Sequence, residues 1–281
     1  MTRSDILVTA TELADLITSG QPVSVLDVRW ELAEPDGREA HSRGHVPGAV
    51  YVSLDEELSD HSVPGRGRHP LPSGAALQES ARRWGLREGV PVVVYDDWNR
   101  AGSARAWWVL TAAGIADVRI LDGGLSAWTA SGGDLETGSV TKEPGDATVR
   151  FLDLYHGALP TLTADEVTGF GGVLLDARAP ERFRGETEPV DPVAGHIPGA
   201  RNAPSAAALA PDGTFLPEID LTRFFEERGA GGGEVGVYCG SGVTAAVTIA
   251  ALRAAGVEAK LFPGSWSQWS SDPSREIATG P

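Results

Sequence analysis

The chain contains a single cysteine, Cys239, in 281 residues. One thiol cannot close an intramolecular disulfide, and it excludes any multi-cysteine zinc or iron–sulfur framework. Lysine is almost as scarce. Only Lys142 and Lys260 occur, so the other basic residues are arginines, a bias that GC-rich codon usage explains. Positive charge is short overall, with 23 Lys and Arg against 39 Asp and Glu and a formal charge of −16. So acidic a chain repels phosphate backbones, which argues against a nucleic-acid partner. No stretch approaches the roughly 18 consecutive apolar residues that span a bilayer. The first residues, Met1 to Val8, show no basic region followed by an apolar core of signal-peptide length. The expectation is a cytoplasmic protein with no membrane partner. The remainder is globular in composition, 41% hydrophobic and 22% charged, and a chain of this length suits two domains of roughly 100–200 residues each.

One pattern is written twice. Val25-Leu26-Asp27-Val28-Arg29 returns as Leu174-Leu175-Asp176-Ala177-Arg178. Gly44-His45-Val46-Pro47-Gly48-Ala49 returns as Gly195-His196-Ile197-Pro198-Gly199-Ala200. Val92 to Tyr95 has its counterpart in Val235 to Tyr238, and Gly123 to Trp128 in Gly264 to Trp269. The order is preserved and the offsets lie between 141 and 151 residues, the signature of a tandem duplication. We place an N-terminal domain at 1–136, a linker at 137–159 and a C-terminal domain at 160–281. The alternation of apolar and polar residues over 147–155 predicts a strand.

Each half alternates strands with helices. Thr163 with Glu166 three residues later predicts a capped helix start. The short apolar runs Val173 to Asp176 and Val235 to Tyr238 predict buried parallel strands. Leu221 to Arg228 and the alanine-rich Thr244 to Ala255 read as helices, the latter closed by Gly256. Such alternation implies an α/β fold with a parallel sheet flanked by helices in each half.

The chemistry-bearing segment is Tyr238-Cys239-Gly240-Ser241-Gly242-Val243-Thr244. Cysteine follows an apolar strand directly, and a loop with two glycines runs into a helix. Ligands of open α/β sheets bind outside the carboxyl ends of the strands. Glycines let backbone N–H groups turn toward the sulfur, and a helix N-terminus adds positive potential. Both effects stabilise a thiolate and make the sulfur a nucleophile. A cysteine phosphatase would place an arginine six residues after the nucleophile, where Ala245 stands. A thioredoxin-like site would need a second cysteine. Sulfur transfer through a persulfide fits best, because no neighbouring thiol can discharge the persulfide as a disulfide.

On these residues, together with Arg182-Phe183-Arg184-Gly185 and Gly264-Ser265-Trp266-Ser267-Gln268-Trp269, the chain resembles the tandem-domain rhodanese family of sulfurtransferases over nearly its whole length. The resemblance implies two rhodanese-like domains, the first catalytically silent. Asp96 follows Tyr95 where a cysteine would be expected, and a carboxylate cannot carry persulfide sulfur. The uncharged loop resembles that of 3-mercaptopyruvate sulfurtransferases, and a loop without cations should favour a monoanionic α-keto acid over thiosulfate. Thiosulfate remains the alternative donor.

The resemblance also implies roles. Cys239 is the nucleophile, and Arg182 grips the donor's anionic group. Gly240, Gly242, Val243 and Thr244 cradle the donor. Ser241 acts with His69 and Asp55, delivering a proton to the leaving enolate or polarising the carbonyl. The last two lie in the N-terminal half, which would account for retention of a silent domain. The family's second arginine after Glu188-Pro189 is missing, since Val190 follows. His45 and His196 are expected to support turns, and Trp266 and Trp269 to pack. No cofactor or metal is implied. The expected partners are a small anionic sulfur donor and a thiol or cyanide acceptor, with the protein a monomer or weak homo-oligomer.

Overall fold

The computed structural model describes residues 2–281, which divide into two compact units. The first comprises residues 2–60, Leu71–Leu159 and Ala210–Phe215; the second comprises His61–Pro70, Pro160–Leu209 and Leu216–Pro281. The units depart from contiguous halves in two segments, residues 61–70 and 210–215.

In the first unit, β1 (Leu7–Val8), β2 (Ser24–Asp27), β3 (Val50–Tyr51), β4 (Val92–Tyr95) and β5 (Val118–Leu121) form a parallel sheet in the order β1-β5-β4-β2-β3. The helices are α1 (Ala10–Thr18), α2 (Arg38–Arg43), α3 (Leu54–Glu57), α4 (Gly74–Arg83), α5 (Ala101–Ala112) and α6 (Gly124–Ala130). In the second unit, β6 (Val173–Asp176), β7 (Arg201–Asn202), β8 (Val235–Tyr238) and β9 (Lys260–Leu261) are parallel in the order β7-β6-β8-β9. A parallel bridge from Thr161 to Leu261 extends the edge where β1 lies in the first sheet. The accompanying helices are α7 (Ala164–Thr168), α8 (Pro180–Phe183), α9 (Glu218–Glu226), α10 (Thr244–Ala254) and α11 (Ser265–Trp269).

The duplication is visible in register. Asp27 pairs with Tyr95 in one sheet and Asp176 with Tyr238 in the other. In each unit the arginine two residues after that aspartate bonds it side chain to side chain and donates to the carbonyl of Gly44 or Gly195. A strand-end charge is thereby neutralised and the following loop is pinned. His196 stacks on Phe183 at 3.8 Å and bonds the Phe183 carbonyl, and His45 bonds the His41 carbonyl. Both histidines are buried structural residues, bonded to the chain that precedes their own turns.

Thr163 caps α7 with the expected reciprocal box, its hydroxyl accepting from Glu166 N–H while the Glu166 carboxylate accepts from Thr163 N–H. Gly256 takes the left-handed conformation just beyond α10, at φ 78°. The strand expected over 147–155 does not form; only a short 3-10 turn, Leu154–His156, occurs there. Backbone N–H groups of Gly145, Ala147, Arg150 and Ala158 instead donate to carbonyls at the ends of α4 and α5, namely Arg82, Leu86, Ala113 and Ala112. Those helix ends carry unsatisfied carbonyls, and the strap answers them in place of a sheet partner. Residues 210–215 join the first unit similarly, with Phe215 N–H donating to Asp122 and Phe215 O accepting from Arg3. Among the described residues no helix is long and apolar enough to cross a membrane.

Candidate active site

The four residues of β8 are all buried, and the strand delivers Cys239 to the carboxyl end of the second sheet with 2% of its surface exposed. The chain turns back immediately because Gly242 sits at φ 77°. A Cβ on Gly242 would lie 2.4 Å from the Pro263 carbonyl oxygen, so handedness and space both require glycine here. The turn aims the Gly242 N–H at Cys239 Sγ, 3.1 Å away. The loop N–H groups of Ser241 and Val243 find no acceptor among the described residues. The start of α10 is likewise uncapped, since its cap residue Val243 makes no side-chain capping bond.

The short helix α11 braces this loop. Ser265 Oγ accepts from Cys239 N–H, while Trp266 and Ser267 N–H donate to the carbonyls of Cys239 and Gly240. Trp266 is fully buried, stacks over Arg178 at 4.6 Å and donates its indole N–H to Val193 O. It is a packing residue, as its place in the repeat suggests.

The same helix holds the segment 61–70. Ser267 Oγ accepts from Arg68 N–H at 3.0 Å, and Gln268 Nε2 donates to Gly65 O at 2.8 Å. Gly67 passes so close to Gly264 that a Cβ would meet its carbonyl oxygen at 2.5 Å. This docking brings His69 Nδ1 to 2.8 Å from Ser241 Oγ, both side chains buried. Two of the residues named for proton work are thus bonded to each other, with Ser241 two positions from Cys239. Asp55 lies in the first unit, in α3, where its carboxylate accepts from the Trp30 indole at 3.2 Å.

Arg182 projects from α8, which opens with Pro180 at its first position. Its guanidinium is largely buried and forks onto Glu188, Nη2 to Oε1 at 2.6 Å and Nε to Oε2 at 3.2 Å. Burial alone would raise the Glu188 carboxyl. Hydrogen bonds from Arg182 and from the N–H groups of Asp191 and Val190 outweigh it and hold the group below the usual range. Asp191 bridges two cations, accepting from Arg68 Nη1 at 2.7 Å and lying 3.5 Å from Arg182 Nη2. A Cβ on Gly240 would stand 3.3 Å from Arg68 Nη2 and 3.6 Å from Arg182 Nη1. Two guanidiniums therefore approach the residue next to Cys239, although Gly240 to Thr244 itself carries no charge. Arg68 and Asp191 were not among the residues read from the sequence. The signal available was weak, adjacency to His69 in one case and to Glu188 in the other.

The first unit shows the alternative. Asp96 follows β4 as Cys239 follows β8, and its carboxylate accepts from Ser103 N–H and Oγ and pairs with buried Arg100 at 3.0 Å. The loop is closed on itself by its own ion pair. Among the described residues, no group of three or more His, Cys, Asp or Glu side chains is placed to hold a metal ion.

Comparison with known proteins bears on the fold and the family. The Rhodanese-like domain family matches residues 9–131 and 162–272. A Mycobacterium tuberculosis protein named "Putative thiosulfate sulfurtransferase SseB" is 63% identical over 99% of this chain and 98% of its own length. A Pseudomonas aeruginosa protein named "Probable 3-mercaptopyruvate sulfurtransferase" is 44% identical over 98% of each chain. The crystal structure of SseA from Escherichia coli, a 3-mercaptopyruvate sulfurtransferase of rhodanese fold, superimposes with a TM-score of 0.81 at 31% identity, over 95% of this chain and 100% of its own.

Proposed function

Because this chain belongs to the rhodanese-like family and acts as a sulfurtransferase, we propose that Cys239 is its sulfur carrier and that 3-mercaptopyruvate is its preferred donor. The Cys239 thiolate attacks the donor sulfur. A bond forms between the two sulfurs as the carbon–sulfur bond breaks, and the electron pair leaves on the enolate of pyruvate. A proton then completes pyruvate. An outside thiolate or cyanide attacks the terminal sulfur, takes it, and returns Cys239 to the thiolate.

The hydrogen bond between His69 and Ser241 carries the choice of donor. An enolate leaving group needs a proton and its carbonyl benefits from polarisation, and this buried pair stands two residues from Cys239 to supply both. Sulfite leaving from thiosulfate needs neither. Arg182 anchors the donor's carboxylate, and Gly240, Gly242, Val243 and Thr244 provide the backbone cradle. Asp55 takes its role from resemblance, and replacement by Asn tests it through kcat. The first domain does not carry sulfur, since Asp96 replaces the nucleophile. A second reading, thiosulfate as main donor, draws on the name of the 63%-identical relative. Intact mass after incubation with each donor should show one added sulfur on Cys239, and kcat/KM for the two donors should rank mercaptopyruvate first. No adduct from either donor on folded protein would end the sulfur-carrier reading.

A further inference from the structure

We propose that Arg68 is a donor-binding residue that works with Arg182 and opens the site to dianionic donors. This rests on Cys239 being the sulfur carrier. Arg68 Nη2 and Arg182 Nη1 both come within 3.6 Å of one point beside Gly240. Neither nitrogen donates to a protein acceptor among the described residues, although their neighbours on the same guanidiniums are held by Asp191 and Glu188. Both carboxylates are buried, with side-chain exposures of 4% and 3%. They are too enclosed to be a solvated surface network and serve to fix the two forks. Each arginine keeps one amino group unspent and directed at the same place.

Arg68 Nε is buried without a partner as well, a cost that a purely structural arginine would avoid by turning to solvent. The main chain of Arg68 is fixed independently, by Ser267 and by the close approach of Gly67 to Gly264. Its side chain is therefore not needed to hold His69 in place. One guanidinium suffices for a monoanionic carboxylate, whereas thiosulfate brings two negative charges toward a thiolate. A second cation adjacent to the nucleophile offsets that repulsion. The Cys239 loop contributes no charge of its own, so discrimination by donor charge, beside the proton work of His69 and Ser241, passes to Arg68.

The test is steady-state kinetics with both donors on wild type, Arg68→Gln, Arg68→Lys and the double variant Arg68→Gln/Asp191→Asn. The double variant removes the buried ion pair as a unit, should the single one unfold. Arg68→Gln should raise KM for thiosulfate about tenfold or more and for mercaptopyruvate less, with kcat nearly unchanged, as expected for lost binding rather than lost chemistry. Arg68→Lys should recover part of the thiosulfate KM, and the double variant should keep the donor split. Equal KM values in wild type and both glutamine variants would overturn the proposal. So would a fall in kcat alone, which would mean that Arg68 only positions His69. If wild type takes no sulfur from either donor by intact mass, the sulfur-carrier reading fails and this one with it. An adduct with unchanged KM in the variants removes the role of Arg68 alone.

Discussion

His69 Nδ1 lies 2.8 Å from Ser241 Oγ although 172 residues separate them in sequence. The bond exists because α11 braces the Cys239 loop with one set of groups and the segment 61–70 with another. His69→Gln should lower kcat for mercaptopyruvate by about 100-fold, the lower range for a lost general acid. The loss with thiosulfate should be much smaller. Stopped assays of pyruvate and sulfite release would measure both, and equal losses would refute proton delivery as the role of the pair.

Cys239→Ser should abolish turnover with every donor and take up no sulfur by intact mass. The substitution is nearly isosteric, so the melting temperature should change little.

Gly242→Ala should be costly. The left-handed backbone alone costs a non-glycine residue about 1–2 kcal/mol, and the added methyl would strike the Pro263 carbonyl. Denaturant midpoint and kcat/KM should fall together, because the turn that would distort also holds an N–H against Cys239 Sγ. Stability unchanged with activity lost would contradict this account.

Glu188 ties stability to pH. Its carboxyl is held below the ordinary 4.5 in the native state, so the folded form favours the ionised group. Its contribution is complete above the unfolded value and is lost as pH falls through the lowered native one. Urea midpoints followed through the acid range should drop for wild type and flatten for Glu188→Gln. Parallel curves would show that other carboxylates dominate acid unfolding.

Much of this was legible along the chain. The repeat could be read because both copies keep the same strand-end aspartate, arginine and histidine-proline turn, whose contacts lie within one unit and recur in the same register. The capping box at Thr163 and the glycine closing α10 are local, so they too were readable. The strand expected over 147–155 failed because alternation describes which side chains are buried, not where the backbone bonds go. Helix-end carbonyls claimed those N–H groups.

By itself the sequence determined the two-fold fold, and it singled out Cys239 after one strand and Asp96 at the matching place after the other. Each depends on residue identity next to a strand end, and short-range geometry follows from residue type. The surroundings of Cys239 depended on tertiary structure. A loop with no cation of its own has two guanidiniums beside Gly240, because Gly67 and Ser267 dock a distant segment and two buried carboxylates hold the forks. Charge acts through space, and the approach that matters, Arg68 Nη2 within 3.3 Å of where a Cβ on Gly240 would stand, joins residues that sequence order does not connect.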